Sequence, residues 1–284
     1  MKKILVPIDF SQRSLSALQL GAVIAKKSSA KITIVHILTN PFVIVTAPEA
    51  YPLPAIEMSA QYDFQEKLEK SAISNLNKLK TKPWLSSLEV ETKIITGSSA
   101  YKEILKYAEI IKPNLIVMGT NGTRGLSEIF LGTNAERIIR FTAIPVLVVG
   151  SKLKKPGINT IVFASLFNED TDKVFPFIKN FAKLFNAKIH LLRINTKEDF
   201  VPTRYAVDNI KSFVKRYKGN YSIAIKDAYE VDEGIVSYAK EVKADLITLG
   251  VHRRHGPSRF FTDRITEGVL RLTGIPVLGV DIYK

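Results

Sequence analysis

Two short clusters carry the residue types that could hold an anion: Gly119-Thr120-Asn121-Gly122 and, after nine intervening residues, Gly132-Thr133-Asn134. Glycines without a Cβ let backbone N–H groups approach an oxyanion closely. The second cluster opens a helical run, and the free N–H groups and positive dipole end of a helix start suit a phosphate. Thr133 and Asn134 add a hydroxyl and an amide as donors. A lone G-x-x-G would read equally well as a chain turn; the weight lies in the whole spacing. A third element is Asp9, which follows Ile4-Leu5-Val6-Pro7-Ile8. Its carboxylate could accept hydrogen bonds from ribose hydroxyls or help hold a metal ion. The local alternative is that Asp9 or Ser11 caps the next helix.

The elements that must position these residues follow from hydrophobic period. Strand one covers 3–8 and precedes a helix with Leu15, Leu18, Ala22 and Ala25 on one face. Strand two (31–37) leads into a loop with Pro41, Pro48, Pro52 and Pro54, then a long helix over about 57–79. Strand three (90–95), helix three (100–111), strand four (115–118), helix four (134–141) and strand five (146–149) complete the alternation. Short apolar strands alternating with helices predict a parallel sheet covered on both faces. A doubly wound strand order 3-2-1-4-5 would set strands one and four side by side at the switch point, where ligands of such folds bind. That puts Asp9 across the crevice from Gly119.

The pattern is written twice. Ala187-Lys188-Ile189 repeats Ala30-Lys31-Ile32, Leu246-Ile247 with Gly250 repeats Leu115-Ile116 with Gly119, and Ile275-Pro276-Val277-Leu278 repeats Ile144-Pro145-Val146-Leu147. The fold expected is therefore α/β, with two tandem doubly wound five-stranded parallel-sheet domains: 1–150, a linker 151–157, and 158–284. The second copy is shorter in its middle. It also loses the glycine pattern: Gly250 remains, but Arg253, Asp263 and Arg264 stand for Gly122, Gly132 and Thr133, and Leu166 stands for Asp9. A carboxylate at Asp263 would compete with a phosphate for the helix start, so no nucleotide is expected in this half.

Composition narrows the class. Hydrophobic residues at 46% and charged residues at 24% match a folded soluble chain. No apolar run is long enough to cross a bilayer or to form a signal peptide, which makes the cytoplasm the expected location. The absence of cysteine excludes disulfides and thiol chemistry, and His36, His190, His252 and His255 have no metal-ligand spacing. A net charge of +14 favours anionic partners without choosing among them. The lysines are spread out, with no visible interleaving of exposed aromatics, so no dedicated nucleic-acid site is expected.

The spacing Gly119-x2-Gly122-x9-Gly132-Thr133, with Asp9 at the end of strand one, resembles the universal stress protein family, whose ATP-binding members carry G-x2-G-x9-G-[S/T] here. The resemblance covers nearly the whole chain, is specific in the glycine motif and generic elsewhere. It implies an adenine nucleotide alpha hydrolase-like fold and a stress-response or regulatory role, with ATP, ADP or AMP as ligand and Mg2+ as companion ion. Carried over by position, Pro7, Ile8 and Asp9 would line the adenine and ribose side, and Ile37 would wall the base. Met118, Gly119, Asn121 and Gly122 would follow ribose and phosphates; Gly132, Thr133 and Asn134 would bind phosphates. Ala135 departs from the pattern, where members often have another hydroxyl, and its loss should weaken phosphate or metal contact without abolishing binding. Single-domain relatives dimerise through their last strands, so Val146–Val149 is expected to pair with Val277–Val280 inside one chain, as an intramolecular pseudo-dimer. Further homodimerisation and a protein partner are left open.

No catalytic residue is visible: no nucleophile or general base has an orienting partner, and the loop lacks the lysine of GxxxxGK[ST]. The Ser-Gly-Gly loop of related ATP pyrophosphatases is replaced by Phe10-Ser11-Gln12-Arg13-Ser14. Three readings remain: an ATP-binding regulatory module, a slow ATP-hydrolysing or autophosphorylating enzyme, and a nucleotide-free scaffold.

Overall fold

The computed structural model describes residues 1–39, 55–120, 133–150, 157–251 and 260–282, with the backbone alone for 55–62, 133 and 260–263. In the first half the chain runs β1 (Lys3–Ile8), α1 (Gln12–Ser28), β2 (Lys31–Thr39), α2 (Ala55–Lys80), β3 (Val90–Gly97), α3 (Ala100–Ile111), β4 (Leu115–Gly119), α4 (Thr133–Phe141) and β5 (Val146–Val149). The second half repeats it as β6 (Thr160–Ala164), α5 (Thr171–Phe185), β7 (Lys188–Asn195), α6 (Thr203–Val214), β8 (Tyr221–Asp227), α7 (Val231–Glu241), β9 (Leu246–Val251), α8 (Phe260–Leu272) and β10 (Val277–Asp281).

All ten strands join one sheet in the order β3-β2-β1-β4-β5-β10-β9-β6-β7-β8, so each half has the expected 3-2-1-4-5 order. β4 and β5 are buried along nearly their whole length, as strands between two helix layers must be. β3 alternates polar and apolar residues and accordingly lies at an edge. Pairing is parallel within each half and antiparallel at the seam, where Leu147 faces Leu278 and Val148 faces Val277. The expected joining of the two last strands is thus observed.

The connections β1–β2–β3 step one way along the sheet and β3–β4–β5 step the other, so right-handed crossovers place α1 and α2 on one face and α3 and α4 on the opposite face. The packing follows this. One core holds Leu18, Ile24 and Leu76 with Phe175, Ile178 and Phe213; the other holds Ile104 and Ile138 with Ile235 and Val269. Each core runs through both halves. Across the seam, Arg140 of α4 pairs with Glu267 of α8, and Lys27 Nζ lies 5.5 Å over the Phe185 ring.

The duplication reaches the backbone. Among the described residues, the non-glycine positions with positive φ are Phe10 and Phe167, Ser29 and Asn186, Lys112 and Lys243, three equivalent pairs. A left-handed residue with a Cβ costs about 1 kcal/mol or more, so keeping these turns while changing most side chains marks them as demanded by the fold. The entry edge is conserved in the same way. Asn114 Oδ1 accepts from the N–H groups of Lys2 and Lys3 at 2.7 and 3.0 Å, and Asp245 Oδ2 accepts from those of Asn159 and Thr160 at the same distances. The halves differ most between their second and third strands, where α2 has 26 residues and α6 has 12.

Candidate functional site

β1 lies between β2 and β4, with Ile8 opposite His36 on one side and Leu5 opposite Ile116 on the other. The carboxyl ends of three neighbouring strands therefore present Ile37, Asp9 and Gly119 in a row. Because β5 runs parallel to β4, the helix joining them returns antiparallel, and its first residues, Thr133 and Asn134, lie at this same edge. Asn134 is exposed there. The structure thus brings together Pro7, Ile8, Asp9, Ile37, Met118, Gly119 and the start of α4. Asn121, Gly122 and Gly132 lie outside the described residues, as does the side chain of Thr133.

The turn after β1 is built by its own hydrogen bonds. Phe10 adopts φ 62°, Ser11 caps α1 by accepting from the Ser14 N–H at 3.2 Å, and the Ser11 N–H donates to Asp9 Oδ1 at 3.0 Å. Ser11 is therefore the cap, and Asp9 keeps an exposed carboxylate with one oxygen outside the turn. His36 Nδ1 bonds the Ile8 carbonyl at 2.7 Å and its ring packs tilted at 4.6 Å from that of Phe10, which explains it as a packing histidine.

Each residue's face decides what it can touch. Met118 is buried and Ile37 half-buried in the core on the α3–α4 side, the side on which α4 begins. Ile8 faces the opposite core against α1, so only its backbone is available to a ligand in the crevice. Gly119 has a structural duty of its own. A Cβ there would stand 2.8 Å from the backbone of Arg13 and Ser14, so the first turn of α1 packs directly on it. Beside it, Thr120 donates its N–H to the Val149 carbonyl at 3.2 Å, while its buried Oγ1 has no hydrogen-bond partner among the described residues. Ala135 is buried in the α3–α4 core, so the departure noted at this position serves packing. Arg137 lies over the Tyr101 ring at 4.7 Å, clasping α4 to α3.

An acidic group for ribose, an apolar wall and a helix start at one strand edge are compatible with an adenine nucleotide; among the described residues there is no nucleophile with an oriented base. The roles of Phe10 and of the Arg13–Ser14 backbone escaped sequence reasoning. One signal was present: Phe10 recurs as Phe167 at the same place in the repeat.

In the second half the same edge is rebuilt. Phe167 keeps the left-handed turn with φ 57°. Ser165 Oγ now accepts from the Phe167 N–H at 3.1 Å and bonds Thr171 Oγ1 at 2.8 Å, so the turn stands without a carboxylate, and Leu166 is exposed in the place of Asp9. Arg193 replaces His36: its Nη1 donates to the Leu166 carbonyl at 3.0 Å and its Nη2 to Asp199 Oδ2 at 3.0 Å. A Cβ on Gly250 would meet the Ile282 side chain at 3.1 Å and no helix backbone. α8 starts at Phe260, which places Asp263 inside its first turn; the sequence reading had it at the helix start itself. Arg253 lies outside the described residues, and Gly268 takes the place of Arg137, with Asp232 packed against it where Tyr101 stands in the first half.

The model of the universal stress protein family matches residues 1–150 and again 157–281. Universal stress protein MJ0531 of Methanocaldococcus jannaschii is 35% identical over 156 residues, 55% of this chain and 83% of that protein. Universal stress protein YxiE of Bacillus subtilis is 29% identical over 147 residues, 52% of this chain and 97% of its own length. A crystal structure of a universal stress protein from Archaeoglobus fulgidus covers 99% of this chain and 98% of that one, with a TM-score of 0.77 at 17% identity, a likeness of fold.

Proposed function

The chain belongs to the universal stress protein family, and on that premise we propose that it is a cytoplasmic regulatory protein that binds one adenine nucleotide in its first domain, residues 1–150, and none in its second, 158–284. The observation that carries the reading is the meeting, at the carboxyl edge of β1 and β4, of the exposed Asp9 carboxylate and the start of α4. The spacing Gly119-x2-Gly122-x9-Gly132 joins them in sequence. Asp9 would accept from the ribose hydroxyls, with Ile37 and Met118 against the base. Thr133 and Asn134 would meet the phosphates with the N–H groups of the α4 start, with or without Mg2+.

The second half supports a one-site stoichiometry by contrast. It keeps the turn and the strand order but presents Leu166 where the ribose would need an acceptor.

Calorimetric titration of ATP, ADP and AMP into the full chain tests the reading. One site per chain is expected, with affinity at least about tenfold weaker in Gly122→Val/Gly132→Val, a loss of about 1.4 kcal/mol. Equal affinity in the two proteins would remove the site. A turnover assay on the same preparations separates a binder from a slow ATPase; with no oriented base among the described residues, no hydrolysis above background is expected.

A further inference from the structure

The carboxyl edge of the second half carries large apolar side chains in water. Leu166 is 48% exposed, Phe200 65% and Tyr229 95%, although they come from three different loops. Two residues of β7 gather those loops. Arg193, itself buried, holds both the Leu166 carbonyl and Asp199, the neighbour of Phe200. Asn195 accepts from the Ala228 N–H, next to Tyr229, through its carbonyl at 3.0 Å, and donates through Nδ2 to the Val201 carbonyl at 3.0 Å. Exposed apolar groups gathered this way and rimmed by charge are the usual mark of a contact surface.

The charge of the rim selects the occupant. Among the described residues, Glu169, Glu198, Asp199, Asp227, Glu230 and Glu233 are exposed on these loops, against Lys197 and Arg204, on a chain whose net charge is +14. Acids in the first turn of α7 stabilise that helix, which accounts for Glu233. Asp199 is explained by its pairing with Arg193; Glu198 and Asp227 lie in no helix and have no such explanation. These carboxylates disfavour nucleic acid and anionic lipid. Aromatic faces and carboxylates together favour lysine and arginine, whose stems also cover apolar surface. We propose that this edge, where the first half has its crevice, is a docking surface for a lysine- or arginine-rich amphipathic segment of another protein. The proposal does not depend on nucleotide binding in the first half.

Fluorescence anisotropy of a labelled twelve-residue peptide of alternating lysine and leucine, titrated with the full chain, tests it. Saturable binding is expected, weakened at least about tenfold in Phe200→Ser/Tyr229→Ser and likewise in Glu198→Lys/Asp227→Lys. All four positions are exposed, and an unchanged melting curve verifies folding of each variant. The peptide with glutamate for lysine should not bind, nor should a twelve-nucleotide oligothymidine. The proposal is overturned if the lysine peptide fails to bind, or if either variant binds it as well as wild type. Binding of the oligothymidine in the peptide's place overturns it too. So does sedimentation showing wild-type oligomers that both variants dissolve, which would make the edge a contact between copies of this chain.

Discussion

The two ends of the sheet hold the same turn for different purposes. After β1 the left-handed Phe10 is followed by a serine cap, and Asp9 stays exposed with one carboxylate oxygen outside the turn. After β6 the left-handed Phe167 is held by Ser165 and Thr171, and the crevice position belongs to Leu166. Backbone conformation and strand register survived the divergence of the copies; the groups that could meet a ligand did not. The constraint on the turn is therefore one of folding, and the constraint on the carboxylate is of another kind.

The largest effect expected from testing this contrast concerns glycine. Gly119→Ala drives a Cβ into the backbone of Arg13 and Ser14, which neither side chain motion nor rotamer choice can relieve, and should cost about 1–3 kcal/mol by urea denaturation. Gly250→Ala meets the Ile282 Cγ2 methyl at 3.1 Å and Val174 at 3.9 Å, side chains and not backbone; its cost should stay below about 1 kcal/mol, because alanine also reduces the freedom of the unfolded chain. Equal losses would mean that the two strand ends are packed alike.

A smaller effect is expected at the acid. Asp9→Asn keeps the acceptor for the Ser11 N–H and removes the charge, so stability should hold while ATP affinity falls about tenfold, or about 1.4 kcal/mol, by calorimetry. Leu166→Asp, the reverse change in the other half, should leave the stoichiometry at one nucleotide per chain. A second site appearing there would show that the halves differ by a single residue.

The smallest effect is a pH dependence that belongs to one half. His190 of β7 bonds the Tyr238 hydroxyl through Nδ1 at 3.0 Å, and burial, with help from Lys188, lowers its pKa below the ordinary imidazole value. The unfolded chain then binds a proton before the folded one does. Stability contributed at this site is complete above about pH 6.5 and declines as pH falls through the lowered folded value. Thr33 occupies the equivalent position in the first half and cannot titrate. Urea midpoints at pH 7.5 and 5.0 should therefore differ less in His190→Gln than in wild type; an identical difference would remove the histidine from the account.

The sheet was legible in the sequence because most of its strands are apolar runs with matching Leu-Ile…Gly and Ile-Pro-Val-Leu signatures, which with right-handed crossovers give the strand order, while the seam followed from the family resemblance. The turn chemistry was less so. Nothing in Phe10 or Lys112 announces a left-handed residue, since that conformation belongs to the hydrogen-bonded turn before α1 and to the C-cap of α3. Gly119 was visible as a glycine, but its contact with α1 joins segments far apart in the chain. The aromatic edge of the second half was missed for the same reason: Leu166, Phe200 and Tyr229 are scattered in sequence and meet only through Arg193 and Asn195.

The antiparallel seam has one more consequence. A half ending in β5 alone would offer water a bare four-residue apolar strand, Val-Leu-Val-Val, with unpaired amides along one side, an invitation to cross-chain association. By closing β10 onto it, the chain keeps just two open borders among the described strands, β3 and β8. Each border strand carries lysine, Lys93 and Lys226, of the kind that discourages further strand addition. Whatever else the second half does, it shields the first from sticking to its own kind.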